Sequence, residues 1–268
     1  MNWSEFQEAI FAAEAAKDSS LIIHARAGSG KTTTGVETLN RSSTPSILAC
    51  AFNKKIQLEL EKRLGTKATT RTLNGLGHRA WSSAIRKRLI LDTDKNFTIL
   101  KEVAGEKDVD FSEVLALIRS AKSHGLLPSG FPHGKGIFDD NLDSWNTLIE
   151  HNDLDCGPEE IDLAREVLSR SIKMGYAGTI DFDDQIYLST LFGAPFERFD
   201  LVFVDEAQDM SKIQHKIISR CAAGRVIAFG DEFQAIYGFR GADDNSMTRL
   251  SDIFSMKHLP LTISYRCP

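Results

Sequence analysis

The sequence predicts an α/β fold: a parallel sheet with helices on both faces, interrupted by an inserted helical subdomain. Three observations carry that expectation. Short apolar runs near 21–25, 46–51, 200–204 and 225–229 alternate with helical patterns, as in βαβ units whose strands are buried on both faces. The first run passes directly into a glycine-rich loop that opens a helix. Between Trp81 and Gly178 the β-branched runs vanish and amphipathic stretches replace them. At 268 residues and 42% hydrophobic content, the chain can bury one substantial core and a satellite domain.

The elements can be taken in order. Ser4 and Gln7 precede Ala9, Ile10 and Ala13, an S-x-x-Q pattern that fits a capping box on a first helix. Leu21-Ile22-Ile23 then leads into Ala25-Arg26-Ala27-Gly28-Ser29-Gly30-Lys31-Thr32-Thr33, the arrangement of a phosphate-binding loop. Glycines let the backbone curl so that consecutive N–H groups face phosphate oxygens. Lys31 can reach the β and γ phosphates, and the Thr32 hydroxyl can ligate Mg²⁺. The full consensus starts with glycine where this chain has Ala25, and the plainer alternative is a strand-to-helix turn with a solvated lysine.

Ile47–Ala51 reads as a strand, followed by Phe52 and a helix with Ile56, Leu60 and Leu64 on one face. Phe52 fits either that core or an exposed role, and Lys54, Lys55, Lys62 and Arg63 fit a solvated helix face. In the middle of the chain, Phe111, Val114, Leu115 and Ile118 form one apolar stripe. Ile161, Ala164, Leu168 and Ile172 form another, with Pro158 at a first helical position. Gly125 to Gly136 reads as a loop.

Asp200-Leu201-Val202-Phe203-Val204 is a buried-strand run that ends in Asp205-Glu206-Ala207-Gln208-Asp209. In open α/β sheets, ligands sit outside the carboxyl ends of strands. Asp205 is therefore placed to hold Mg²⁺ through water, and Glu206 to orient or deprotonate an attacking water. The alternative is the solvated start of the next helix, where acids suit the positive end of the dipole. Arg225-Val226-Ile227-Ala228-Phe229 is the last strand run, and it enters Gly230-Asp231-Glu232-Phe233-Gln234-Ala235-Ile236-Tyr237-Gly238-Phe239-Arg240-Gly241-Ala242.

That last segment resembles the superfamily 1 helicases of the UvrD/Rep/PcrA type, whose third motif has the form G-D-x-x-Q-x-I-Y-x-[FW]-R-G-A. Further stations follow in the family's order: Ser4-Glu5-Phe6-Gln7, Ala51-Phe52-Asn53-Lys54-Lys55, Thr72-Leu73-Asn74-Gly75-Leu76-Gly77-His78-Arg79, Asp181-Phe182-Asp183-Asp184 and Ser264-Tyr265-Arg266. The resemblance implies a RecA-like ATP-binding domain over 1–81 and 179–262, a 1B-like helical insertion over 82–178, and the start of a second motor domain at 263–268. It implies ATP and Mg²⁺ as cofactors, with Gln7 reading adenine, Ala27, Gly28, Ser29, Gly30, Lys31, Thr32 and Thr33 holding phosphates, and Tyr265 stacking on the base.

By the same resemblance Thr32 and Asp205 hold the metal, while Lys31, Glu206, Gln234 and Arg266 are catalytic, Gln234 sensing the γ phosphate and Arg266 acting as an arginine finger. Phe52, Tyr237 and Phe239 resemble the aromatics on which the family stacks bases of single-stranded DNA, Asn53 and Asn74 touch its backbone, and Arg240 couples the two sites. Stacking grips any sequence, because every base has a π-face. Burial in the core is the alternative for Tyr237 and Phe239. The chain departs from the pattern where the family has histidine and this sequence has Asn74, and where Asn53-Lys54 replaces Thr-Asn.

Composition fits an intracellular enzyme, cytoplasmic or in another DNA-containing compartment. Four cysteines lie scattered without a C-x-x-C pair, which argues against a zinc site or a disulfide framework. The N-terminus carries Glu5, Glu8 and Glu14 where a signal peptide would be basic and then apolar, and no run reaches membrane-span length. Net charge is −5, so contact with single-stranded DNA, or with a duplex bearing a single-stranded tail, has to come from a local groove.

The family's motor has two RecA-like halves, and this sequence ends two residues after Arg266. The expectation is therefore a second motor domain or partner protein, Tyr265 and Arg266 on a loose tail, slow hydrolysis by the chain alone, and 3′-to-5′ polarity in the assembled motor. A binding module that uses nucleotide as a switch without translocating is the alternative. Guanine-reading GTPases are disfavoured, because Ile56 follows Asn53-Lys54-Lys55 where their motif needs aspartate.

Overall fold

A computed structural model describes residues 2–234 and 245–265. From the N-terminus the elements are α1 (Glu5–Ala16), β1 (Leu21–Ala25), α2 (Lys31–Arg41), β2 (Ile47–Ala51), α3 (Lys54–Leu64), β3 (Thr69–Thr72) and α4 (Leu73–Ile85). There follow β4 (Ile90–Leu91), α5 (Lys95–Ala104), α6 (Phe111–His124), α7 (Leu142–His151), α8 (Pro158–Ala177), β5 (Thr179–Ile180) and α9 (Phe182–Leu191). The chain continues with β6 (Phe199–Val204), α10 (Lys212–Cys221), β7 (Ala222–Gly230), α11 (Ser246–Phe254) and β8 (Lys257–Leu261). It divides into two compact units, one running to Leu73 and resuming at Glu197, the other Asn74–Phe196. Among the described residues no helix is long and apolar enough to cross a membrane.

The first unit is built on a six-stranded sheet in the order β3-β2-β6-β7-β1-β8, with every pairing parallel. Alternate strand residues make the core of one face: Leu21, Ile23, Ala49, Phe203, Ile227 and Phe229 pack with Ile10 of α1, Val36 and Leu39 of α2, and Leu60 and Leu64 of α3. The intervening residues Ile22, Leu48, Val202 and Val226 are buried as well, so both faces are covered. Connections that step toward β3 run through α2 and α3, and those that step toward β8 run through α10 and α11. Right-handed crossovers place these two sets on opposite faces. At the carboxyl ends of the neighbours β1 and β7 the chain therefore departs in opposite directions, which opens the crevice of a topological switch point.

The fold is the α/β sheet expected, with two strands that the apolar runs did not announce. β3 is Thr69-Thr70-Arg71-Thr72 and β8 is Lys257-His258-Leu259-Pro260-Leu261, the two edges of the sheet. An edge strand has one unpaired side and tolerates polar residues and proline, which is why neither reads as a buried run.

The second unit is helical apart from the parallel pair β4 and β5. Its core joins Ile99 and Leu100 of α5, Leu117 and Ile118 of α6, Trp145 and Leu148 of α7, and Ala164, Val167 and Leu168 of α8. The Trp81 indole donates to the Gly175 carbonyl at 3.1 Å and the Tyr187 hydroxyl to the Leu126 carbonyl at 2.8 Å. Asp181 caps α9 and accepts the Asp184 N–H at 2.8 Å, while the Asp184 carboxylate accepts the Asp181 N–H at 3.0 Å. The same two carboxylates meet two buried lysines. Lys122 Nζ lies 2.5 Å from Asp181 and 2.7 Å from Asp184, and Lys95 pairs with Asp184 and donates to the Ser171 carbonyl at 3.1 Å.

Candidate functional site

The site of the first unit lies where β1, β6 and β7 end. After Ala25 the backbone turns through Gly28 and Gly30, both with positive φ, at 73° and 79°. That left-handed geometry is open to glycine and strained for other residues. The Ser29 N–H closes a turn onto the Arg26 carbonyl at 3.1 Å, and α2 starts at Lys31 with no side-chain cap and no acid in its first turn. An uncapped helix start presents N–H groups and a partial positive charge, the chemistry of an anion site. The Ser29 hydroxyl is fully buried inside this loop and meets no hydrogen-bond partner among the described residues. A phosphate oxygen fits such a donor.

Two acids from the end of β6 meet the first residues of α2. Lys31 Nζ is 2.9 Å from Glu206 Oε2, and the Thr32 hydroxyl donates to Asp205 Oδ2 at 3.1 Å. Glu206 holds a left-handed backbone with φ 54°, a strain of roughly 1 kcal/mol or more of the kind concentrated at functional sites. Burial first, and the Glu206 charge second, push the Asp205 carboxyl up to about 6, against the opposing pull of Thr32 and Lys31. Burial and Glu206 also push Asp209 up to about 6. One lysine thus faces three acids, and a divalent cation fits the excess: a hydroxyl and a carboxylate are the protein ligands that Mg²⁺ commonly takes alongside phosphates and water.

A further polar network ties β6 to β7. The Gln208 amide donates to Glu206 Oε2 at 2.9 Å and accepts the Asp231 N–H at 3.1 Å, and the Gln234 amide donates to Asp231 Oδ2 at 2.7 Å. Gln208 and Asp231 were not singled out by the sequence reading. Their signal was position, since each falls within four residues of the end of a buried strand. Phe233 is 78% exposed, and the Arg26 guanidinium of the glycine-rich loop lies 4.2 Å over its ring.

Around this centre the other expected residues fall as follows. Gln7 is buried and closes the capping box with Ser4, and its amide also donates to the Thr34 hydroxyl of α2 at 2.9 Å. Thr33 accepts from Arg63 of α3 at 3.4 Å, so Arg63 is not part of a wholly solvated face. Tyr265 is 61% exposed, yet its N–H donates to the Gly28 carbonyl at 2.9 Å and the Ser264 hydroxyl donates to the Ala27 carbonyl at 2.9 Å. The loose tail expected there is instead tied down, because β8 pairs with β1 and the chain leaving β8 passes across the loop leaving β1. Phe52 is 37% exposed at the end of β2, outside the core, and Asn53 caps α3 by accepting the Ile56 N–H at 2.9 Å. Asn74 belongs to the second unit and donates to the Phe182 carbonyl at 2.9 Å. Tyr237, Phe239, Arg240 and Arg266 lie outside the described residues.

The chain is similar to known proteins over most of its length. The UvrD/REP helicase N-terminal domain family matches residues 4–255. DNA helicase II of Escherichia coli (strain K12) is 27% identical over 283 residues, covering 95% of this chain and 37% of its own length. ATP-dependent DNA helicase PcrA of Leuconostoc citreum is 25% identical over 274 residues, 89% of this chain and 34% of its own. F-box DNA helicase protein 1 of Schizosaccharomyces pombe is 26% identical over 270 residues, 92% of this chain and 29% of its own. The chain spans 37% of the length of the first of these relatives.

Proposed function

The chain belongs to the UvrD/REP helicase N-terminal domain family, and from that premise we propose that it is the ATP-binding half of a DNA motor, coupling ATP binding and hydrolysis to a grip on single-stranded DNA. One observation carries the reading: Lys31 and Thr32 of one loop pair with Glu206 and Asp205 of another, at 2.9 and 3.1 Å, although the two loops are far apart in sequence.

The uncapped start of α2, the Ser29 hydroxyl and Lys31 bind the triphosphate. Lys31 exchanges its Glu206 partner for phosphate, and that exchange frees Glu206 to orient a water and take its proton. Thr32 and Asp205 would hold magnesium, which when bound would neutralise charge developing on the phosphates. Gln234, steered by Asp231, reads the γ phosphate and passes its state through Gln208 to Glu206. Gln7, bonded to Thr34 of α2, and Tyr265, bonded to Gly28 of the loop, select adenine. Phe52, Tyr237 and Phe239 stack bases, Asn53 and Asn74 hold the strand, and Arg240 links strand to nucleotide. Movement 3′ to 5′ follows the resemblance.

Arg266 and a second motor domain or partner complete the charge stabilisation. An arginine finger is worth about 10³–10⁵ in rate, so the chain alone turns over slowly. The stretch 82–178, which lies within the unit Asn74–Phe196, is proposed to be the 1B-like insertion.

ATP turnover of wild type and Glu206→Gln, each with and without single-stranded DNA, tests the reading. Wild type is expected to exceed the variant by about 10²-fold or more, the contribution of a general base. Equal turnover with nucleotide still bound would replace the motor by a nucleotide-switched binding module.

A further inference from the structure

We propose that His24 and His258 form a proton-operated clasp that holds the chain leaving β8 against the glycine-rich loop, so that acid loosens the nucleotide site. The clasp rests on the nucleotide reading above and adds a regulation of that site.

Four side chains from four segments stand in one line. Glu232, in the segment after β7, lies 3.3 Å from Nδ1 of His24 on β1. His24 Nε2 lies 2.8 Å from His258 Nδ1 on β8, and His258 Nε2 lies 2.8 Å from the Ser251 hydroxyl of α11. The two rings are nearly parallel, 16° apart, with centroids at 5.0 Å. An ionised carboxylate only accepts, so His24 Nδ1 donates to Glu232 and His24 Nε2 accepts from His258 Nδ1. His258 Nε2 then accepts from Ser251, and every member is satisfied with both rings neutral.

One added proton fits this line and a second does not. With one ring charged, a single N–H still lies between the rings, and the Glu232 carboxylate faces the cation. With both charged, His24 Nε2 and His258 Nδ1 would each carry a proton at a separation of 2.8 Å, and two like charges would stand side by side. The titratable groups facing His24 are Glu232 beyond β7 and His258 on β8, while α11 offers the neutral Ser251 hydroxyl to His258. Burial outweighs the opposing Glu232 charge, His258 adds to burial, and His24 is held below its ordinary value.

β8 is the side that gives. It is an edge strand bonded to β1, and its Pro260 has no N–H to donate. At its end the Arg26 N–H donates to the Leu261 carbonyl at 3.0 Å, the Ser264 hydroxyl to the Ala27 carbonyl at 2.9 Å, and the Tyr265 N–H to the Gly28 carbonyl at 2.9 Å. Repulsion between the rings pushes β8 from β1 just before these bonds, and the loop that they brace loses its fixed geometry.

The test is amide hydrogen exchange of the peptides covering 21–30 and 257–265, corrected for intrinsic rates, between pH 7 and 5 in wild type, His258→Asn and Glu232→Gln. Asparagine keeps an N–H donor on a short side chain but does not titrate. Wild type is expected to lose protection in both peptides about tenfold over this range, the yield of one pKa unit, and His258→Asn to lose none. Glu232→Gln removes the charge that favours protonation and should move the loss to lower pH. A fluorescent ATP analogue, titrated in EDTA so that no magnesium takes part, reads the nucleotide site. Protonation of the phosphates and of Asp205 is common to wild type and His258→Asn, so the ratio of their affinities isolates the clasp and should fall about tenfold as well. Protection in wild type that does not change with pH, or that changes equally in His258→Asn, overturns the clasp whether or not nucleotide binds. An unshifted loss in Glu232→Gln also overturns it. Loss of protection with a constant affinity ratio overturns its control of the site. A wild type that binds no analogue at any pH while protection still falls overturns the nucleotide reading and leaves the clasp standing.

Discussion

The charges gathered at the ends of β1 and β6 and those enclosed by α5, α6, α8 and α9 are made of the same residue types, and they are balanced in opposite ways. In the first unit Lys31 faces Asp205, Glu206 and Asp209, two of those carboxyls are pushed up to about 6, and the buried Ser29 hydroxyl and Asp209 Oδ1 find no partner among the described residues. In the second unit Lys95 and Lys122 pair with Asp181 and Asp184, and Asp183 lies beside them within reach of the Lys122 and Arg119 charges. Burial alone would raise Asp181, but the Lys122 and Lys95 charges outweigh it and hold that carboxyl below its ordinary value. Asp184 and Asp181 likewise outweigh burial and hold Lys122 above its ordinary value. A buried cluster whose lysines and carboxylates are paired with one another fixes a fold. A cluster short of positive charge waits for a cation and a ligand, and this contrast separates a lock from a site where motif spelling does not.

The largest expected effect breaks the lock. Lys122→Ala leaves two carboxylates buried beside a single lysine and should cost about 3–5 kcal/mol. Lys31→Ala removes the lysine that faces these acids, but Glu206 and Asp209 keep contact with water, so the loss of stability should be smaller than in Lys122→Ala. Urea unfolding followed by tryptophan emission measures both, with Trp81 and Trp145 buried in the second unit and Trp3 packed on Phe11 in the first. Similar losses in the two variants would erase the distinction.

The next effect concerns protons. Asp205 titrates at about 6, so below that pH a proton competes with magnesium. The apparent Mg²⁺ affinity of the nucleotide complex should fall by roughly tenfold per pH unit under pH 6 and level off above it. Asp205→Asn should bind Mg²⁺ weakly with no such slope. Asp181, whose folded value lies below its unfolded one, contributes stability above the ordinary carboxylate range and loses it only as pH falls through the depressed value. Magnesium affinity therefore falls between pH 7 and 5, a range over which Asp181 loses none of its contribution to stability. A flat magnesium profile in wild type would remove Asp205 from the ligand set.

Much of this contrast was legible in the residues, and the rest depended on tertiary distance. β1, β2, β6 and β7 announce themselves because strands buried on both faces must be apolar throughout. The edges β3 and β8 do not, and with β8 unseen the tethering of Ser264 and Tyr265 to the glycine-rich loop could not be anticipated. Lys31, Thr32, Asp205 and Glu206 were readable from the loops that carry them. Gln208 and Asp231 were not, because a neutral amide and one more acid gain meaning only from the partner they reach. Asp181-Phe182-Asp183-Asp184 stood out as a motif, and its two outer acids prove to be the anchors of the buried lysines.

The smallest effect has a sign that decides between lock and site. Asp209 is half-exposed, and its carboxyl is raised from 3.8 to about 6 by burial and by Glu206. A carboxyl whose folded value exceeds its unfolded one destabilises the fold when ionised. That cost is absent below about pH 4, grows between 4 and 6, and is complete at pH 7. Asp209→Asn removes it and should stabilise the protein at pH 7 by less than about 1 kcal/mol, a figure kept small by solvent screening. The gain should disappear near pH 4, where the wild-type group is protonated in most molecules. Asp184→Asn, the same exchange inside the sealed cluster, should destabilise at pH 7, because it strips a partner from both buried lysines. Urea midpoints of the two variants at pH 7 and at pH 4 give the comparison directly, and a loss of stability in Asp209→Asn at pH 7 would mean that the acids of the first unit are held as firmly as those of the second.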